Sequence, residues 1–383
     1  MMTSHAKSPT QPFSAKSKIL PLTSVRFFAA LYVVLFHTTP GILPQGVQSS
    51  ILGRILGLGY ISVSFFFLLS GFILAFVYLK DGKPVDRRRF YIARVARIYP
   101  LYLAAMLLDL PHFIYVQRHI FHWGWGDIAA TVVVTSGLVQ VWFAKWQGLN
   151  FPGWSLSVEA FFYLFFPFVG AALWRMRGRT MILFSILIYG AGVLFVEAMV
   201  HTSLSPTLQG YSPLEHFYTF VLGICLAKLF VWTTEEPTRS EALQRYAPWM
   251  LAAGVTGYLA APVFNLPLSP VWMQHGGQVP LFALILLAMT SGQKTIVKVF
   301  SANWLVVLGE ASFALYLIHN PVHEIMRRVM ERGGWPVYLL YLAICIGLSV
   351  LSIYCLETPA RHWILRKARA RSLETEVTSS LAQ

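Results

Sequence analysis

The stretch LTSVRFFAALYVVLFHT (Leu22–Thr38) is apolar almost throughout, yet it carries a permanent cation, Arg26, and an imidazole, His37. Its length and composition suit a membrane-crossing helix, for which ~17–25 residues are needed. The two polar residues are eleven positions apart. On a helix that is about three turns with only ~20° of drift, so both face one side, separated by ~16 Å along the axis. That is roughly half the ~30 Å hydrocarbon core of a bilayer. Ionisable groups are costly to desolvate there, and a shared stripe of two points to function rather than accident.

The whole chain fits this setting. Of its 383 residues 56% are hydrophobic and 12% charged, against ~25% charged for ordinary soluble proteins. The mean hydropathy is +0.59. A net charge of +14 raises nucleic-acid binding as a possibility, but the charge is not spread along a soluble face. It gathers at Asp81–Arg97, Trp174–Arg179 and His362–Arg371, between apolar runs. This is the positive-inside pattern of a polytopic membrane protein. The three cysteines, Cys225, Cys345 and Cys355, are odd in number and lack metal-ligand spacing, so neither a disulfide framework nor a metal site is expected.

Apolar runs long enough to span lie near 20–39, 59–79, 99–116, 155–174, 180–200, 214–232, 247–264, 278–292, 304–326 and 336–356. The expected fold is therefore all-α: a polytopic integral membrane helix bundle of about ten transmembrane helices, with N- and C-termini cytoplasmic. A further apolar stretch, Ile128–Trp142, either spans or is re-entrant. If it spans, the basic segment at Arg175–Arg179 is forced outside, so 120–154 is read as an irregular outer region. Residues 1–19 and 364–383 read as cytoplasmic basic and polar tails around a membrane domain at 20–363.

Several segments carry chemistry. FYIARVARIYP (Phe90–Pro100) sets Arg94 and Arg97 on one helical face; they are either cytoplasmic-edge anchors or a phosphate clamp, since guanidinium forks match phosphate oxygens. Arg26 is likewise an anchor or a donor-side cation. SVSFFFLLSGFILAFVY (Ser62–Tyr78) carries a small-residue patch at Ser70 and Gly71 where another backbone can approach. GWSLSVEAFFYLFFP (Gly153–Pro167) places Glu159 about a turn into an apolar helix behind Trp154 and Ser155; it pairs with a buried cation or accepts a proton. GEASFALYLIHNPVH (Gly309–His323) puts Ser312, Tyr316, His319 and His323 on one face with Glu310 pointing elsewhere. His37 and this polar stripe are open to two readings, hydrogen-bonded glue between helices or acid–base work. Glu357 and Arg361 are spaced for a local ion pair if the helix continues past Pro359.

In this order, Arg26…His37, FFFLLSGF (Phe65–Phe72), Arg94/Arg97 running into Tyr99 and Pro100, WSLSVE (Trp154–Glu159) and SFALYLIHNP (Ser312–Pro321) resemble the acyltransferase 3 family of integral membrane proteins. The resemblance runs from residue 20 to about 363. It implies transfer of an acyl group, usually acetyl, from cytoplasmic acyl-CoA to a hydroxyl of an extracytoplasmic or lipid-linked saccharide such as O-antigen or exopolysaccharide, across the plasma (inner) membrane. On that basis the expected catalytic residues are His37, Glu159 and His319. Arg26, Arg94 and Arg97 are expected to hold acyl-CoA, and Trp154, Ser155 and Tyr316 the acceptor, with no metal. His37 is read as general base or transient acyl carrier. Some family members carry a fused esterase-like domain; this sequence does not, so either direct transfer or hand-over to a separate periplasmic transferase partner is expected. The competing class is a transporter or flippase of a lipid-linked sugar, in which the same charges line a path.

Overall fold

A computed structural model describes residues 15–40, 47–201 and 210–381. Most of the expected tail at 1–19, and the last two residues of that at 364–383, lie outside them. The described chain contains helices α1 (Ala15–Thr38), α2 (Ile51–Leu56), α3 (Ser62–Tyr78), α4 (Arg87–His119), α5 (Trp125–Ser136), α6 (Trp154–Trp174) and α7 (Gly178–Val200). They are followed by α8 (Pro213–Thr234), α9 (Pro237–Val263), α10 (Pro270–Trp272), α11 (Val279–Thr290), α12 (Lys294–Phe300), α13 (Asn303–Ser352) and α14 (Thr358–Leu381). No strand occurs among the described residues. In lipid this is the expected solution, because a helix satisfies its backbone within one segment.

Among the described residues, eight helical stretches are long and apolar enough to cross a bilayer: 20–38, 51–78, 87–119, 151–174, 178–199, 213–234, 270–290 and 303–370. The ten apolar runs of the sequence resolve into these eight for two reasons. The runs at 304–326 and 336–356 fall in one long stretch, within which α13 is broken at Gly334 (φ 58°, ψ −147°), a conformation open to glycine. The run at 247–264 lies in α9, where Pro248, Gly254, Gly257, Tyr258 and Pro262 dilute the apolar face. The ambiguous stretch 128–142 is not among the eight. It contributes to α5, 12 residues long and so about 18 Å, followed by single turns at 140–142, 144–146 and 151–153.

Two close helix contacts position the site. α3 packs on α8 through glycines on both sides: a Cβ at Gly71 would run into the Phe220 carbonyl oxygen, and one at Gly223 into that of Leu68. α1 packs on α13 through Gly309, where a Cβ would meet the Thr23 carbonyl. Small residues let backbones approach in this way, which supplies the van der Waals contact that membrane helices depend on. At the far end of α1, the hydroxyls of Thr38 and Thr39 lie 3.1 and 3.0 Å from the Tyr338 hydroxyl. The pairing of α1 with α13 is what brings the two ends of the sequence together.

Candidate active site

α1, α3, α4, α6 and α13 line a cavity of about 150 Å³. Arg26 enters it from α1, Ser70 from α3, Arg94 and Arg97 from α4, Ser155, Glu159 and Tyr163 from α6, and Ser312 and Tyr316 from α13. Three guanidinium groups thus face one carboxylate in a lining otherwise rich in Phe, Leu and Ile. Such an excess of positive charge in apolar surroundings suits an anion.

Each charge is held differently. The Arg94 guanidinium lies over three rings, 5.7 Å from Tyr78, 5.9 Å from Phe90 and 6.0 Å from Tyr163, within the range of cation–π attraction. Its Nη2 donates to the Tyr78 hydroxyl at 3.3 Å, while its buried Nε has no partner. Glu159 accepts from the Tyr163 hydroxyl at 2.7 Å, one helical turn away. Arg26, Arg94 and Arg97 all act on Glu159 electrostatically. The expected Glu357–Arg361 pair does not form: Glu357, the last residue of a π-helical turn at Ile353–Glu357, accepts from Ser352 at 2.9 Å instead.

The cavity ends at Tyr316. Its hydroxyl donates to the Pro152 carbonyl at 3.0 Å and accepts from Ser155 at 2.9 Å. One turn further along α13 is His319, fully buried, whose Nε2 lies 2.9 Å from Nδ1 of His37. The two rings are 3° from parallel. His319 Nδ1 lies 3.2 Å from the Leu315 carbonyl, which can only accept. The hydrogen of a neutral His319 therefore sits on Nδ1, its Nε2 accepts from His37 Nδ1–H, and His37 Nε2 keeps a free lone pair. That atom is chemically able to take a proton or attack a carbonyl.

The structure thus gathers Arg26, Arg94, Arg97, Ser155, Glu159 and Tyr316 around one cavity and sets His37 and His319 just past its end. Glu310 is exposed, as its place off the polar face implies. Trp154 does not line the cavity. Its ring turns into the core against Tyr211, His216 and Phe67, with centroids 4.9, 5.6 and 6.2 Å away. Tyr163, which bridges Glu159 and Arg94, was not singled out by the sequence reading, although it sits four residues after Glu159. Two buried polar groups also escaped it. Behind Trp154, His275 Nε2 lies 3.4 Å from Glu215, with His216 stacked on His275. Beside the histidine pair, Asp109 accepts from the Asn150 backbone. Among the described residues no group of three or more His, Cys, Asp or Glu side chains is placed to hold a metal ion.

The family model Acyl_transf_3, described as an acyltransferase domain, matches residues 22–354. The chain is similar to "Acyltransferase MdmB" of Streptomyces mycarofaciens, 30% identical over 92% of each chain. It is also similar to "O-acetyltransferase OatA" of Staphylococcus aureus, 23% identical over 89% of this chain and 57% of that one. "Putative peptidoglycan O-acetyltransferase YrhL" of Bacillus subtilis is 23% identical over 89% of this chain and 54% of its own length. The chain therefore spans a little over half the length of the latter two. No solved structure matches it.

Proposed function

The chain belongs to the acyltransferase 3 family, and on that premise we propose that it moves an acyl group, acetyl in the first instance, from cytoplasmic acyl-CoA to a hydroxyl of an extracytoplasmic saccharide, within the plasma (inner) membrane. What carries the reading is the sequence of features along one axis: three arginines at one end of the cavity, a hydroxyl pair at its close, and an imidazole with a free lone pair beyond.

Acyl-CoA is too highly charged to cross a bilayer, but its thioester end is small. Arg26, Arg94 and Arg97 hold the phosphates, with Arg94 kept in position by its ring cage. Orientation follows the basic segments, which place the arginine end of α4 toward the cytoplasm and the histidine end outward. His37 Nε2 takes the proton of the acceptor hydroxyl as that oxygen attacks the thioester carbon. The C–S bond breaks, and the proton ends on the departing thiolate. His319 holds His37 in the required tautomer. Glu159 balances part of the arginine charge and keeps Tyr163 against Arg94. In the alternative route His37 Nε2 attacks the thioester itself, forming a C–N bond as the C–S bond breaks, and the acceptor oxygen then displaces the imidazole while its proton passes to the thiolate; trapping of the acyl-histidine by hydroxylamine separates the two routes.

The reading is tested by mass spectrometry of surface glycans from cells with and without the chain. A gain of one acetyl mass per modified sugar, lost in His37→Ala with the protein still in the membrane, is expected. Unchanged glycan mass with altered export would overturn the enzyme reading in favour of a flippase.

A further inference from the structure

The buried polar group beside the histidine pair contains an unusual deficit. Asp109 and Asn150 are only 3% and 1% exposed. The Asn150 backbone N–H donates to Asp109 Oδ2 at 2.7 Å, and the Asn150 side-chain amide donates to the Leu317 carbonyl at 3.3 Å. Those two bonds leave one hydrogen of the Asn150 amide over, but neither remaining acceptor of the pair receives it. Asp109 Oδ1 and Asn150 Oδ1 are left buried without a donor. Buried acceptors are almost always satisfied, and two unsatisfied on a mutually bonded pair call for a donor from elsewhere.

The pair is held firmly in place. Asn150 adopts a left-handed backbone (φ 43°, ψ 67°), which Asn tolerates better than most residues. Its amide is fastened to α13 two residues before His319. Asp109 lies on α4, where His112 follows it by about one turn. There His112 Nε2 approaches Glu324 Oε2 at 3.4 Å, and Glu324 also meets His323 at 3.4 Å and Arg327 at 3.5 Å. The His112, Glu324 and His323 side chains are 34%, 22% and 19% exposed, so the group opens to its surroundings on this side. His323 is in turn one turn beyond His319. Asp109 and Asn150 are thereby linked on one side to the half-open rim, where His112 and Glu324 act on Asp109 electrostatically, and on the other to the segment of α13 that leads into His319, through the Leu317 carbonyl.

We infer that this region is the acceptor subsite, where hydroxyl groups of a neutral sugar donate to Asp109 Oδ1 and Asn150 Oδ1 and the Glu324 rim admits the ring. The occupant's identity rests on the acyl-transfer reading above. The chemistry of the two ends is opposite. The arginine cavity offers donors and positive charge to an anion, whereas Asp109 Oδ1 and Asn150 Oδ1 offer acceptors, and the charge of Glu324 at the rim is already met by His112, His323 and Arg327. A molecule presenting O–H donors and no negative charge is what the second set fits.

The test uses the full chain in detergent with acetyl-CoA as donor. The probe is the glycan isolated from expressing cells and stripped of its O-acyl groups with mild base. Asp109→Asn keeps the shape, and its amide oxygen still accepts from Asn150, but an NH₂ group then stands where Oδ1 awaits a donor. The KM for the glycan is expected to rise about tenfold or more, the scale of one lost hydrogen bond to a charged group, with acetyl-CoA affinity unchanged. Asn150→Ala should act in the same direction. An unchanged glycan KM, or acetyl-CoA binding lost in parallel, overturns the inference. A second measurement avoids the buried positions: in a Cys355→Ser background, His112→Cys is labelled with a maleimide. Glycan should slow the labelling and acetyl-CoA should not; labelling that glycan leaves unchanged also overturns it. If expressing cells yield no acylated glycan, it is the acyl-transfer reading that fails first.

Discussion

His37 Nδ1 stands 2.9 Å from His319 Nε2, and the Leu315 carbonyl behind His319 determines which nitrogen of each ring carries hydrogen. The free Nε2 of His37 is thus set by a backbone oxygen two groups away. His319→Phe removes the acceptor and lets His37 rotate or change tautomer. The rate of acetyl transfer should fall about 10–100-fold, as for other residues that orient a reacting imidazole. His37→Ala should abolish transfer, and the double variant should be no worse than His37→Ala alone, because the two act as a unit. Losses that multiply in the double variant would show that His319 acts separately.

Arg94 combines a ring cage with an unpartnered Nε. Arg94→Lys keeps the charge and loses the planar fork, so the KM for acetyl-CoA should rise roughly tenfold with kcat little changed. Initial rates at varied acetyl-CoA decide it. A fall in kcat at unchanged KM would move Arg94 from donor binding to the chemical step.

The glycine contacts predict damage without any touch on the cavity. Gly223→Ala forces its Cβ onto the Leu68 carbonyl, and Gly309→Ala forces one onto the Thr23 carbonyl. Both neighbours are backbone and cannot rotate away. Each variant should lose about 1–3 kcal/mol, the usual cost of overpacking, seen as a lower melting temperature in detergent. In Gly309→Ala the shift of α1 should also weaken the histidine pair, so activity should fall further than in Gly223→Ala.

Asp127, at the start of α5 and outside the spanning stretches, is bonded to Lys145 at 2.6 Å and to the Trp146 indole at 3.4 Å. The Lys145 bond holds its carboxyl below the usual aspartate value of 3.8. A folded-state value lower than the unfolded one means that the stabilisation is present above 3.8 and is lost as pH falls through the folded value. Proteolysis or hydrogen exchange in 125–146 should therefore quicken only under acid. In Lys145→Ala the acid dependence should weaken; an unchanged profile would dissociate it from this pair.

Much of the candidate site was legible in the sequence, because its residues stand out against apolar neighbours at helical spacings: Ser155 and Glu159 four apart, Arg94 and Arg97 three apart, and Tyr316 and His319 three apart. Trp154 stands apart from the cavity for a simple reason. It neighbours Ser155 in sequence, but adjacent residues on a helix point about 100° apart, and the ring belongs to the core. Asp109 is visible as a lone acid in LLDLPHF, yet its meaning depends on Asn150, 41 residues on, in a segment without regular periodicity. The Glu215–His275 contact joins positions 60 residues apart that share no local pattern. Spacing reveals what one helix presents; it is silent on what a distant loop brings to meet it.

The histidine pair joins residues 282 positions apart in the chain, one in the first helix and one in the long stretch at the far end. A chain that enters the membrane from its N-terminus carries His37 into lipid early, while His319 is still to be made. Until α13 arrives, His37 has no partner to fix its tautomer, and the cavity lacks Ser312 and Tyr316 from its wall. On the role proposed for His37, the chain would be inactive throughout its own synthesis and would become competent only when α13 docks against α1.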